Sequence, residues 1–307
     1  MQVYLPIADL PVNIFLVLGM GLAVGFISGM FGIGGGFLMT PLLIFIGISP
    51  AVAVASVSPQ ITASLFTGFI SHWRRRTIDF ALGAMLLVGG VFGTIFGVWL
   101  FTFLRALDQL DLAIGLAYVT LLTTVGAIMI YESVRAELRA RGGRPATLRR
   151  PGSHNWVHGL PYKLRFKRSK IYVSAVPVWS IGFFIGFLSA VLGVGGAFLL
   201  VPMLIYFLRV PTATVIGTSM MLTLVTMGSA TVLHAATNHL VDAVLALILM
   251  AGGVVGAQFG ARTGQKMRDE RLRLMLGLMV FAVGTRFAYD LVVAPDELYS
   301  LRTVSNE

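Results

Sequence analysis

The sequence predicts an all-α polytopic membrane protein of about ten transmembrane segments, half-helices included, arranged as two inverted five-segment repeats. Three observations predict it. The 307-residue chain is 57% hydrophobic and only 12% charged, against roughly 25% charged in soluble domains. No Asp, Glu, Lys or Arg occurs between Asp9 and Arg74, a run far beyond the ~20 apolar residues that cross a bilayer core. Residues 25–45, GFISGMFGIGGGFLMTPLLIF, return at 186–206 as GFLSAVLGVGGAFLLVPMLIY, with 11 of 21 positions identical.

Apolar runs bounded by polar residues, glycine or proline place the segments in order. In the first half they lie at 11–30, 36–47, 51–72, 78–103 and 110–131; in the second, at 172–192, 197–208, 212–235, 241–262 and 272–293. Met1 to Pro11 lacks the basic start of a cleavable signal. The segments at 36–47 and 197–208 hold 12 residues each, or roughly 18 Å of helix, too short for a ~30 Å core. They read as half-helices that begin inside the membrane. The duplication continues beyond them: Gly89, Gly90, Gly93 and Gly97 match Gly252, Gly253, Gly256 and Gly260 once two residues are inserted, which also pairs Asp79 with Asp242. Small residues at this spacing let helices pack closely, and packing is their default reading.

Charge sets the expected orientation. Arg74, Arg75 and Arg76, the 132–170 stretch with 11 of the 23 Lys and Arg, and Arg262 to Arg273 should face the cytoplasm. The 104–111 and 236–240 turns should face outward, as should both termini. The expected division is a first membrane repeat at 1–131, a basic cytoplasmic loop at 132–170, a second repeat at 171–294 and an outer tail at 295–307. An odd number of segments per half turns the second repeat upside down. The net charge of +10 follows from the loop; nucleic acid is not an expected partner, and the bilayer is. With no cysteine there is no disulfide or thiolate ligand, and no metal or cofactor is expected.

Unwound backbone is tolerated in a bilayer only where protein or water satisfies it. The N-terminus of the half-helix that follows supplies free N–H groups and the positive end of a dipole, both suited to an anion. Gly32, Gly34, Gly35 and Gly36, with Gly193, Gly195 and Gly196, let a ligand approach the main chain. A tight turn with no ligand is the plain alternative. Phosphate-loop and dinucleotide readings fail, because no Gly-Lys-Ser/Thr or Gly-x-Gly-x-x-Gly pattern fits.

The next segments carry neutral hydroxyls and an amide: Ser58, Gln60 and Thr62, with Ser56 and Ser64 nearby, facing Ser219 and Thr223, with Thr218 and Thr226. At constant spacing Ser58 pairs with Ser219, Thr62 with Thr223, and Pro59 with Met220. Such groups can hold an oxyanion, and they also glue membrane helices together. His72, Asp79, His234 and Asp242 are the candidates for proton coupling, although both aspartates stand at helix starts, where an acid is ordinary. Arg286 and Asp290, four apart, should pair, and Gln258 reads as buried. A serine hydrolase built on Ser28 fails, because Phe26 stands where a nucleophile elbow needs glycine.

The pattern Gly25, Gly29, Gly32, Gly34, Gly35, Gly36, then Pro41, duplicated across a long central loop, resembles the TauE/SafE-type sulfite exporter family over nearly the whole chain. Ala190 and Ala197 depart from it in the second copy. The resemblance implies export of a small sulfur-containing or organic anion, such as sulfite, sulfoacetate or a related sulfonate, across a bacterial inner membrane. The residues themselves imply a pseudo-symmetric secondary transporter working by alternating access, with proton coupling a candidate. A passive anion channel is the alternative, and an enzyme is not expected.

Overall fold

The computed structural model describes residues 2–31, 34–141, 163–166, 169, 171–208, 210, 212–264 and 269–292. Gly32, most of the basic loop, residues 265–268 and the tail lie outside them. Among the described residues the first half holds α1 (Ile14–Phe31), α2 (Gly36–Phe45), α3 (Pro50–Arg74), α4 (Phe80–Ala106) and α5 (Leu110–Arg141). The second holds α6 (Ala175–Leu192), α7 (Ala197–Tyr206), α8 (Thr212–Leu233), α9 (Ala243–Gly264) and α10 (Asp269–Val292). A π-helical turn, His234–Asn238, continues α8. Eight helices are long and apolar enough to cross a membrane. The other two, α2 and α7, have ten residues each, about 15 Å of helix, as half-helices require.

Local chemistry explains the boundaries. Pro50 opens α3 at a position where its missing N–H costs nothing. Asp79 caps α4 through the N–H groups of Ala81 and Leu82, and Asp242 accepts those of Val244 and Leu245 at the start of α9. Gly193 closes α6 in the left-handed conformation, with φ 65°.

Each half opens with an antiparallel hairpin that the apolar pattern does not show: β1 (Gln2–Leu5) with β2 (Leu10–Asn13), and β3 (Lys163–Phe166) with β4 (Ile171–Ser174). Both pairs stand at the same spacing as the glycine motif, and Leu5 and Phe166, at equivalent places, are buried. Each hairpin reaches the opposite half. The Ile7 N–H donates to Asp242 Oδ2 at 2.9 Å, while Ser169 donates its N–H and hydroxyl to Asp79 Oδ2 at 2.8 and 2.7 Å.

The halves interlock throughout. Helix α1 packs along α9, and its equivalent α6 along α4. Glycines make both seams possible. A Cβ on Gly25 would lie 2.3 Å from the Gly253 carbonyl oxygen, and one on Gly256 2.1 Å from that of Leu22. In the other seam a Cβ on Gly186 would lie 2.0 Å from Gly90 O, and one on Gly93 2.0 Å from Phe183 O. Packing is therefore the occupation of these glycines, Gly25 of the opening motif included. Equivalent helices meet antiparallel: Gly68 and Thr62 of α3 lie against Met220 and Gly228 of α8, and Gly126 and Gly284 set α5 against α10 in the same sense. A two-fold axis perpendicular to the helices produces this, so the repeats are inverted.

The structure corrects two expectations. Asp79 N–H donates to Thr218 Oγ1 and Asp242 N–H to Ser56 Oγ, while Gly90 faces Leu222 and Thr226 where Gly253 faces Gln60 and Ser64. These contacts pair α3 with α8 at one residue more than the sequence spacing used above. Ser58 is therefore equivalent to Met220 rather than Ser219, Pro59 to Met221, and Ile61 to Thr223. One inserted residue lies in each of two connections, before α8 and before α9. Gln258 is exposed, because the buried stripe of α9 runs through Gly252, Gly253, Gly256 and Gly260. Arg286 and Asp290 do pair, on the exposed face of α10.

Candidate functional site

The two helix breaks meet at the centre of the bundle. After α1 the chain folds back, so that Gly35 lies against Val24 and Ser28 in the middle of that helix, and Gly196 lies against Ile185 and Ser189 of α6. Four glycines turn in the left-handed region: Gly34 (φ 91°), Gly35 (φ 70°), Gly193 (φ 65°) and Gly195 (φ 69°). A side chain there is strained whatever space surrounds it. A Cβ on Gly36 would lie 2.2 Å from the Gly193 carbonyl oxygen, and one on Gly34 3.7 Å from that of Gly195. The two turns thus touch across the internal axis. Immediately beyond them Phe37 and Phe198, equivalent residues, stack with ring centroids 4.6 Å apart.

The starts of α2 and α7 therefore converge, and both positive dipole ends point at one region. Ser189 Oγ accepts the Gly196 N–H at 2.9 Å. The N–H groups of Ala197 and Phe198 have no partner among the described residues. Tyr118 of α5, wholly buried, donates its hydroxyl to the Leu192 carbonyl and so anchors the end of α6 beside the break.

The predicted polar residues divide into two kinds. Ser58, Thr62 and Ser219 are committed to their own helices, donating to the carbonyls of Val54, Ser58 and Ile216. Thr62 also faces away from the breaks, into an open groove of about 520 Å³ that it shares with Pro59, Thr231 and Met250. Gln60 and Thr223 are different. Both are 0% exposed, and neither the Gln60 amide nor the Thr223 hydroxyl, nor the neighbouring Ser64 hydroxyl, has a partner among the described residues. An unpaired buried polar group costs about 1–3 kcal/mol, so these groups, like Thr40 and Thr123, call for a partner such as an ordered water or a ligand.

Ile61 is a residue at the breaks that no sequence signal selects. Its side chain is the nearest group to the Cβ positions of Gly34 and Gly195 and reaches that of Gly36. With the Phe37–Phe198 stack it fills the space between the breaks. Phe37 and Phe198 carried a signal, being among the identities of the duplicated motif; Ile61 carried none, since its mate is Thr223.

The four proton-coupling candidates are not gathered here. Asp79 and Asp242 cap helices at opposite ends of the bundle and hold the opposing hairpins. His72 Nδ1 lies 2.9 Å from Thr77 Oγ1. His234 is buried, its Nε2 3.1 Å from the Ala190 carbonyl oxygen and its Nδ1 3.2 Å from Asn238 Nδ2, which fixes the neutral tautomer protonated on Nε2. Among the described residues no cluster of His, Asp or Glu could hold a metal ion.

Eight spanning helices in two inverted halves, with two half-helices whose starts meet at the centre, define a membrane transporter. Comparison with known proteins makes the class particular. The chain belongs to the sulfite exporter TauE/SafE family, whose model matches residues 17–287. It is 30% identical over 281 residues to a probable membrane transporter protein of Xylella fastidiosa (strain 9a5c), covering 88% of this chain and 93% of that one. It is also similar to two probable membrane transporter proteins of Bacillus subtilis (strain 168). YjnA is 26% identical over 87% of this chain and 96% of its own length, and YunE 22% identical over 88% and 96%. No solved structure matches. The protein is thus a multi-pass transporter of the bacterial inner membrane and not an enzyme.

Proposed function

We propose that this protein is a secondary transporter that exports a small sulfur-containing or organic anion, of the class of sulfite, sulfoacetate and related sulfonates, by alternating access. The carrying observation is the convergence of the α2 and α7 N-termini at Gly34–Gly36 and Gly193–Gly196. The anion is held there by main-chain N–H groups and by Gln60, Thr223 and Ser64, while Ser58, Thr62 and Ser219 brace the helices that carry them. The two halves rock about this point. The hairpins are the closing elements, one at each end, each latched to the opposite half through Asp242 or Asp79. Ile61 and the stacked phenylalanines close the axis, which favours a carrier over a passive anion channel. In a proton-coupled cycle His72 and His234, with Asp79 and Asp242, are the groups placed to respond at the two ends.

Purified protein in liposomes tests the reading. Uphill sulfite movement under an imposed pH gradient is expected, and its loss in Gly35→Leu and Gly196→Leu. Undiminished flux in both variants would remove the breaks from the mechanism, and purely dissipative flux would make the protein a channel.

A further inference from the structure

We propose that, within this class of anions, the site prefers an oxyanion that keeps one proton, and that the Gln60 amide is the group that reads that proton. The inference rests on the central-site reading above and deepens it. Gln60 is fully buried, and both its amide oxygen and its amide nitrogen lack partners. Either orientation of the amide therefore leaves a free donor and a free acceptor. Ser64, one turn further along α3, shares its face. Both lie against Gly253 of α9, where a Cβ would come within 2.6 Å of the Gln60 nitrogen and 3.0 Å of the Ser64 oxygen. The adjoining stripe of α3, Ile61 and Leu65, lies against Gly34. The amide thus stands on the stripe of α3 next to the one that touches the break.

A primary amide presents an NH₂ with two donors beside a carbonyl oxygen that only accepts. A fully deprotonated oxyanion offers only acceptors, so it satisfies the nitrogen and sets oxygen lone pairs against Oε1. A hydrogen oxyanion offers an O⁻ to the N–H and an O–H to the carbonyl, and satisfies both. Its remaining oxygens can accept from Ser64, Thr223 and the main-chain N–H groups at the break. Charge points the same way. Helices α1, α2 and α8 contain no titratable side chain. The titratable groups on the helices packed around Gln60 stand at their ends: His72 and Arg74 on α3, Asp242 and Arg262 on α9, and His234 in the turn that continues α8, while Tyr118 of α5 is committed to Leu192. Among the described residues no cation stands on these helices beside Gln60 to offset a second negative charge, and the desolvation cost rises with the square of the charge, roughly fourfold for a dianion.

The device is one-sided. At the equivalent place in the other half stand Leu222, which is apolar, and Thr226, whose hydroxyl donates to the Leu222 carbonyl at 2.9 Å. The proton then travels on the substrate, and no carboxylate in the membrane is required to carry it.

The test uses the full chain in liposomes with two probes, sulfite, which titrates between monoanion and dianion, and methanesulfonate, which carries no proton. Wild-type sulfite flux at fixed total concentration should fall about tenfold per pH unit above the second pKa of sulfite, while methanesulfonate flux stays flat. Wild type should prefer the sulfite monoanion by at least about tenfold, and Gln60→Met should erase that preference by raising the KM for sulfite more than that for methanesulfonate. Sulfite flux that is level or rising through the same range overturns the proposal on wild-type protein, so misfolding of the variant cannot shelter it. Equal slowing of both probes in Gln60→Met also overturns it. If wild type moves neither anion faster than Gly35→Leu, the central-site reading itself falls and takes this one with it.

Discussion

Phe37 and Phe198 stack face to face, with ring centroids 4.6 Å apart and planes within 9°. They occupy the same position in the two copies of the motif. A residue meets its own copy only on the symmetry axis, so this contact locates the axis one residue beyond Gly36. Truncating one ring opens a cavity in a fully packed centre. Phe37→Ala should lower stability by about 3–5 kcal/mol, and a double-mutant cycle with Phe198→Ala should show coupling near 1 kcal/mol, read from unfolding in detergent. Additive losses would mean that the rings stack without supporting each other.

Asp79 and Asp242 each join three pieces of chain. Replacing Asp242 by alanine removes the cap of α9 and the acceptor of the Ile7 N–H together. A loss of about 1–2 kcal/mol is expected from the cap alone, with faster hydrogen exchange at Ile7. Ser169→Ala should weaken the other hairpin while leaving the α4 cap intact. Unchanged exchange at Ile7 in Asp242→Ala would show that the hairpin is held by its buried Leu5 and Val12 instead.

The glycine seams predict opposite outcomes for chemically identical changes. Gly260→Ala places a methyl group 1.9 Å from the Phe26 carbonyl oxygen, and should cost about 1–3 kcal/mol as the seam separates. Gly19→Ala, on the same pair of helices, meets nothing within 4 Å. It should be neutral or stabilising by up to about 1 kcal/mol through helix propensity. Thermal melts of the two variants side by side decide the matter.

Because the chain has no cysteine, single cysteines report topology without background. His239→Cys should react with an impermeant thiol reagent from outside intact cells, and Trp73→Cys only after the membrane is opened. The reverse pattern would invert the orientation drawn from the basic residues.

Much of the architecture was legible because its signals are local or composition-wide. The apolar runs marked all ten helices, nine of them to within three residues; α5 continues ten residues past its apolar run, to Arg141. The break was visible as a glycine cluster, and the Asp79 and Asp242 caps as acids at helix starts. What failed was register. The motif repeats at one spacing and the α4/α9 glycines at a spacing two residues longer, and nothing local says where the insertions fall. A single residue turns a helix by about 100°, enough to move Thr223 from Thr62's place to Ile61's. The hairpins escaped notice because four-residue strands leave little pattern, and those at Lys163–Phe166 lie among basic residues.

The sequence by itself determined the membrane-spanning class, the two-fold inverted construction and the breaks, since each follows from hydropathy, segment number and the conformations open to glycine. Only the tertiary structure decided which polar groups are free to act. Ser58, Thr62 and Ser219 read much like Thr223 in one dimension, yet their hydroxyls are spent on their own helices while Gln60, Ser64 and Thr223 are left unpaired. A hydrogen bond is a matter of a few tenths of an ångström and of direction, and those are fixed only when α3 and α8 are set against the breaks and against each other.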